Sequence, residues 1–73
     1  MIKWQPVTDS SRIVSEAYVV ETETIVVRFP DGVEWAYPAC PPATWEEFTA
    51  PGQSRGKYID TVLNSKLHGP WSG

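Results

Sequence analysis

Thr24-Ile25-Val26-Val27-Arg28-Phe29-Pro30-Asp31-Gly32-Val33-Glu34-Trp35-Ala36-Tyr37 is the stretch that decides the fold. Two runs rich in β-branched and aromatic residues flank Pro-Asp-Gly. Asp-Gly between such runs is a preferred tight hairpin, because glycine accepts the positive φ that the turn requires. Pro30 cannot donate a ladder hydrogen bond and marks the end of the first strand. Alternation puts Ile25, Val27 and Phe29 on one face, with Val26 and Arg28 on the other. In the second strand Val33, Trp35 and Tyr37 share a face.

Upstream, Ile13–Val20 (IVSEAYVV) has the same β-rich character, and Glu21-Thr22-Glu23 supplies a polar turn. Residues 1–9 are polar and proline-interrupted and read as an N-terminal arm. Downstream, Pro38, Pro41 and Pro42 end the sheet. Pro42–Ala50 then reads as a short helix: Pro suits its first turn, Thr44 and Glu47 fit a capping box, and Trp45 with Phe48 makes an apolar i,i+3 pair. Pro51-Gly52 stops it. Ser54 is a good N-cap for a last helix in which Tyr58, Ile59, Val62 and Leu63 form a stripe, with Lys66 near its end and Gly69-Pro70 closing it. The expected fold class is α+β: a three-stranded antiparallel β-meander followed by two helices packed on one face. Trp35, Tyr37, Phe48, Tyr58 and Val62 should meet in the core, with Ile25 or Phe29 between them.

A chain of 73 residues makes one small domain, whose stability belongs at the low end of ~5–15 kcal/mol. Its single cysteine, Cys40, excludes an internal disulfide and a Cys-based metal cluster. The start lacks an apolar run of signal-peptide length, and no segment approaches the roughly 20 apolar residues of a membrane span. A cytoplasmic protein with no membrane partner is the expectation. The net charge of −3 argues against strong non-specific nucleic-acid binding. The charge is uneven: residues 1–50 carry three cations against eight acids, −5, and residues 51–73 carry three cations against Asp60, +2.

Ser54-Arg55-Gly56-Lys57-Tyr58 places two cations at a helix start, where the dipole disfavours them. Two readings follow. An anionic group could be held by backbone N–H groups and Lys57, or the stretch is a capped helix start with a glycine for a tight turn and two solvated cations. The glycine spacing of a phosphate-binding Walker loop is missing. Trp35-x-Tyr37 likewise reads either as a stacking platform for bases or as core beneath the helices. Cys40 lies between prolines, and His68, the sole histidine, falls in the tail, so a small buried cysteine is the expectation. No catalytic residue, metal ligand or cofactor is assigned, and the protein is not expected to be an enzyme.

The order and spacing of these elements resemble the KTSC domain, named for its occurrence at the C-terminus of some lysyl-tRNA synthetases and also found as small free-standing bacterial proteins. The likeness runs over residues 10–67, leaving 68–73 as a tail. It is carried by Ser10-Ser11-Arg12-Ile13, Tyr18, Ile25–Phe29, Asp31-Gly32, Trp35-Ala36-Tyr37, Pro42, Phe48 and Ser54–Tyr58. Trp35 stands where the family usually has Tyr, which keeps the ring and removes a hydroxyl. The synthetase context implies RNA as a ligand, and the small free-standing form suits a bacterial or bacteriophage protein, in the latter case working in the host cytoplasm. The acidic balance, with Trp4 and Trp71 in arms outside the predicted core, favours instead a non-catalytic module that binds another protein. Nucleic-acid binding through the sheet aromatics and the Arg55/Lys57 corner is the alternative. The candidate binding residues are Trp35, Tyr37, Ser54, Arg55, Gly56, Lys57 and Tyr58.

Overall fold

The computed structural model describes residues 2–8 and 10–71. The strands β1 (Gln5–Pro6), β2 (Ser15–Val19), β3 (Thr24–Arg28) and β4 (Glu34–Tyr37) precede helices α1 (Pro42–Phe48) and α2 (Arg55–Thr61). A 3-10 turn at Leu63–Ser65 and a last strand, β5 (Gly69–Pro70), complete the chain. All neighbouring strands pair antiparallel, in the order β1-β2-β3-β4-β5. The class is α+β as expected, but the sheet has five strands rather than three, because both arms pair with its edges.

The decisive hairpin forms with a longer loop than Asp-Gly alone requires. The Gly32 N–H donates to the Phe29 carbonyl (2.9 Å) and the Phe29 N–H to the Val33 carbonyl (2.8 Å). Pro30 and Asp31 are therefore the centre of a four-residue turn, and Gly32 follows at φ +92°. Proline's fixed φ suits the first central position, and only the residue after the turn needs the left-handed region. The Asp31 carboxylate accepts from the Val33 N–H (3.1 Å).

One face of the sheet carries Ile25, Val27 and Tyr37, all nearly inaccessible, against Phe48 of α1 and Tyr58 and Ile59 of α2. Ile13 and Leu63 complete this core, and Trp35, Phe29 and Val62 pack at its margin. Tyr18 stacks on Trp45 with ring centres 5.4 Å apart, and Phe48 lies 5.6 Å from Tyr58. The predicted core residues do meet. Val33 does not join them; it is 44% exposed at the end of the hairpin.

The opposite face is closed too. Ala17 and Val26 lie there, 1% and 0% exposed. Trp4 lies over the Arg28 guanidinium (4.4 Å to the ring centre), and Arg28 Nε donates to Glu34 (2.7 Å). The Trp71 N–H donates to the Glu34 carbonyl (2.9 Å), and Trp71 lines a cleft with Ile2, Lys3 and Val19. Both indoles are half-buried, and neither belongs to the main core cluster.

Two helix boundaries differ from expectation. Helix α1 ends at Phe48 and starts from Pro41, without a side-chain cap. Thr44 sits inside its first turn, and Glu47 is drawn away to accept from the Tyr58 hydroxyl (2.7 Å). Helix α2 ends at Thr61, and Val62 (φ −116°) is at once its C-cap and the N-cap of the 3-10 turn. Gly69-Pro70 is therefore an edge strand and not a helix stop. Among the described residues no helix is long and apolar enough to cross a membrane.

Candidate functional site

Ser54 is the N-cap of α2, and its Oγ accepts from the Lys57 N–H (3.3 Å). Arg55 is not a solvated cation. Its Nε and Nη2 donate to the two carboxylate oxygens of Glu16, each at 2.9 Å, and its guanidinium lies 5.7 Å from the centre of the Phe48 ring. The Glu16 side chain is 1% exposed and that of Arg55 13%. A carboxylate so far from water has to be paired and hydrogen-bonded, and Gln5 Nε2 adds a bond of 2.7 Å. This pair fixes the start of α2 to the middle of β2. Glu16 was missed in the sequence. Its signal is a charge two residues from Tyr18, on the inward face of an otherwise apolar strand.

Gly56 has an equally specific reason. A Cβ built there would lie 3.2 Å from the Arg12 Cβ and 3.5 Å from its Cγ. The glycine thus serves close approach between α2 and the Arg12 stem, not a special backbone angle. Beyond that contact, Arg12 reaches Asp60 with both terminal nitrogens (Nη1 to Oδ2, 3.1 Å). Hydrogen bonding to Asp60 holds the Arg12 guanidinium above its ordinary pKa.

The segments Ser10–Arg12 and Ser54–Thr61, far apart in sequence, therefore form one cleft of about 560 Å³. Its described lining carries Arg12, Lys57 and Asp60, with hydroxyls from Ser10, Ser11 and Thr61. Lys57 is exposed, and among the described residues it makes no ion pair.

Arg12 also borders a second, smaller recess of about 140 Å³. Its walls are Phe29, Trp35, Tyr37 and Ile59, and Asn64 and His68 stand at the rim. The His68 ring centre lies 5.6 Å from those of both Trp35 and Tyr37. Trp35 is half-buried, whereas Tyr37 keeps 2% of its surface. Burial raises the Tyr37 pKa.

Of the predicted site residues, Ser54, Gly56 and Lys57 line the cleft, while Trp35 and Tyr37 line the recess. Arg55 is turned inward to Glu16. Tyr58 is core: it is 4% exposed, and burial, reinforced by the bond to Glu47, pushes its pKa up to about 12. Arg12, Asp60, Asn64 and His68 were not among them. Cys40 is fully buried, and burial pushes its thiol pKa up, away from the nucleophilic thiolate.

A five-stranded antiparallel sheet with two short helices on one face, its edges closed by the chain's own ends, defines a small α+β domain. The chain is a KTSC-like domain. Its structure is similar to the crystal structure of a KTSC domain protein from Yersinia pestis, with a TM-score of 0.83 and 26% sequence identity over 99% of this chain and 100% of that one. No protein-family model matches the sequence, and no curated protein matches it.

Proposed function

We propose that this domain is a non-catalytic binding module whose ligand is another protein, engaged where the polar cleft meets the aromatic recess. The observation that carries this reading is the position of Arg12, which borders both hollows. An apolar anchor site beside a polar, hydroxyl-rich rim is the usual anatomy of a protein interface. Support against the nucleic-acid alternative comes from two of its own residues: Tyr37 offers no face for stacking, and Arg55 is bonded to Glu16. The chain also carries a net charge of −3.

Affinity capture from the source cell, with and without nuclease, tests the reading. Wild-type protein should retain a protein partner after nuclease, and Lys57→Glu should lose it. Release by nuclease would favour RNA or single-stranded DNA. Equal capture by the variant would move the binding surface elsewhere.

A further inference from the structure

The geometry points to the recess at Trp35 as a socket for a single ring: it takes one Phe or Tyr side chain of a protein partner, with acidic residues on either side of that ring. This rests on the binding-module reading above and specifies its ligand. Size is the first argument. A cavity of ~150 Å³ lined by apolar side chains binds benzene, and the recess measures about 140 Å³ between Phe29, Trp35, Tyr37 and Ile59. A single six-membered ring is of that size.

Ring geometry is the second argument. Trp35 and Tyr37 already hold the His68 ring at 5.6 Å in edge and tilted arrangements, the orientations that aromatic pairs prefer. A partner's ring entering the recess meets the half-buried Trp35 ring.

Charge is the third argument. The two hollows together present Arg12 and Lys57 against Asp60, one net positive charge among the described lining residues, on a chain of −3. The Arg12–Asp60 pair is half exposed on both sides (44% and 48%), so water screens it and the Arg12 guanidinium can be shared with an incoming carboxylate. A nucleic acid gains from a run of cations that neutralise phosphates. Two cations beside an acid suit a short acidic peptide better.

The test uses three peptides, acetyl-Glu-Phe-Glu-amide, acetyl-Glu-Ala-Glu-amide and acetyl-Lys-Phe-Lys-amide, titrated into the 15N-labelled full chain. The first should shift the Trp35 indole N–H and the Asn64 and His68 signals, and bind at least ~10-fold tighter than the other two, about 1.4 kcal/mol. Its advantage over the Lys peptide should shrink in high salt. Asn64→Trp, a change at an exposed rim position, should fill the socket and abolish the shifts while the protein stays folded. Equal binding of the Ala peptide, equal binding of the Lys peptide, or shifts confined to other residues overturns the proposal. So does an oligouridylate that produces the Trp35 shifts more tightly than the Phe peptide. If Asn64→Trp still captures the cellular protein that wild type captures, the socket is wrong and the binding-module reading stands.

Discussion

Arg55→Met should be the most damaging single change at the surface-facing start of α2. Among the described residues it leaves the Glu16 carboxylate, 1% exposed, with only the Gln5 amide, 2.7 Å away, as a side-chain partner. Breaking a buried pair by removing one partner costs about 3–5 kcal/mol, and at 13% exposure Arg55 merits little discount for screening. For a domain of this size each kcal/mol lowers the melting temperature by roughly 4–8 °C, so the fall should be at least about 12 °C. The Arg12–Asp60 pair is the internal control. Its members are 44% and 48% exposed, and Asp60→Asn should cost about 0–1 kcal/mol. The double variant Glu16→Met/Arg55→Met should recover most of the loss, since an apolar replacement of a buried pair is often neutral or stabilising. Gln5 is exposed and can turn its freed amide to water. Urea unfolding followed by Trp fluorescence yields all four values. A cost below about 1 kcal/mol for Arg55→Met, or a double variant no better than the single, refutes the argument that Glu16 is buried and held by Arg55.

Tyr58 sets an alkaline limit. Its ordinary pKa of about 10 applies when unfolded and about 12 when folded, so between those values the unfolded chain has released a proton that the folded chain keeps. Stability is therefore full below about pH 10 and falls by roughly 2–3 kcal/mol as pH rises toward 12; Tyr58→Phe should flatten that slope in urea melts at pH 9 and pH 11.5, and an unchanged slope counts against the assignment. Gly56→Ala, in the first turn of α2, should not gain even the up to ~1 kcal/mol that replacing a helical glycine gives, because the new Cβ meets the Arg12 stem at 3.2 Å; a gain of that size in a thermal melt would show that the contact yields freely. Trp4→Ala should destabilise by about 1–3 kcal/mol, combining lost apolar cover with a cation–π contact to Arg28. A melting temperature equal to wild type would mean that the N-terminal arm does not hold the second face.

The centre of this fold was legible because its determinants are local. The Pro30–Gly32 turn signal, the alternation of Ile25 and Val27, and the Ser54 cap each act within a few residues, and the hairpin, the face and the cap appear where expected, though the turn centres on Pro30-Asp31. The edges were not legible, because β1 and β5 are two residues each and contain proline. No period can be read from two residues. They become strands only because β2 and β4 offer unpaired edges, a property of the assembled sheet. Val33 failed for a related reason: the hairpin loop closes at Val33, just before β4 begins, and there it stays exposed.

The same distinction separates the two halves of the Ser54–Tyr58 stretch. Its capping function is local and was readable. The roles of Arg55 and Gly56 depend on Glu16 and Arg12, 39 and 44 residues away by numbering, so the apparent conflict between cations and the helix dipole had no local resolution. For Arg55 the conflict is resolved by a buried carboxylate from β2. For Lys57 it is not resolved within the described residues, and Lys57 stays exposed on the cleft. A sequence feature that looked like one basic motif is thus two different things. Arg55 holds the helix in place through Glu16, and Lys57 is a charge left exposed on the cleft.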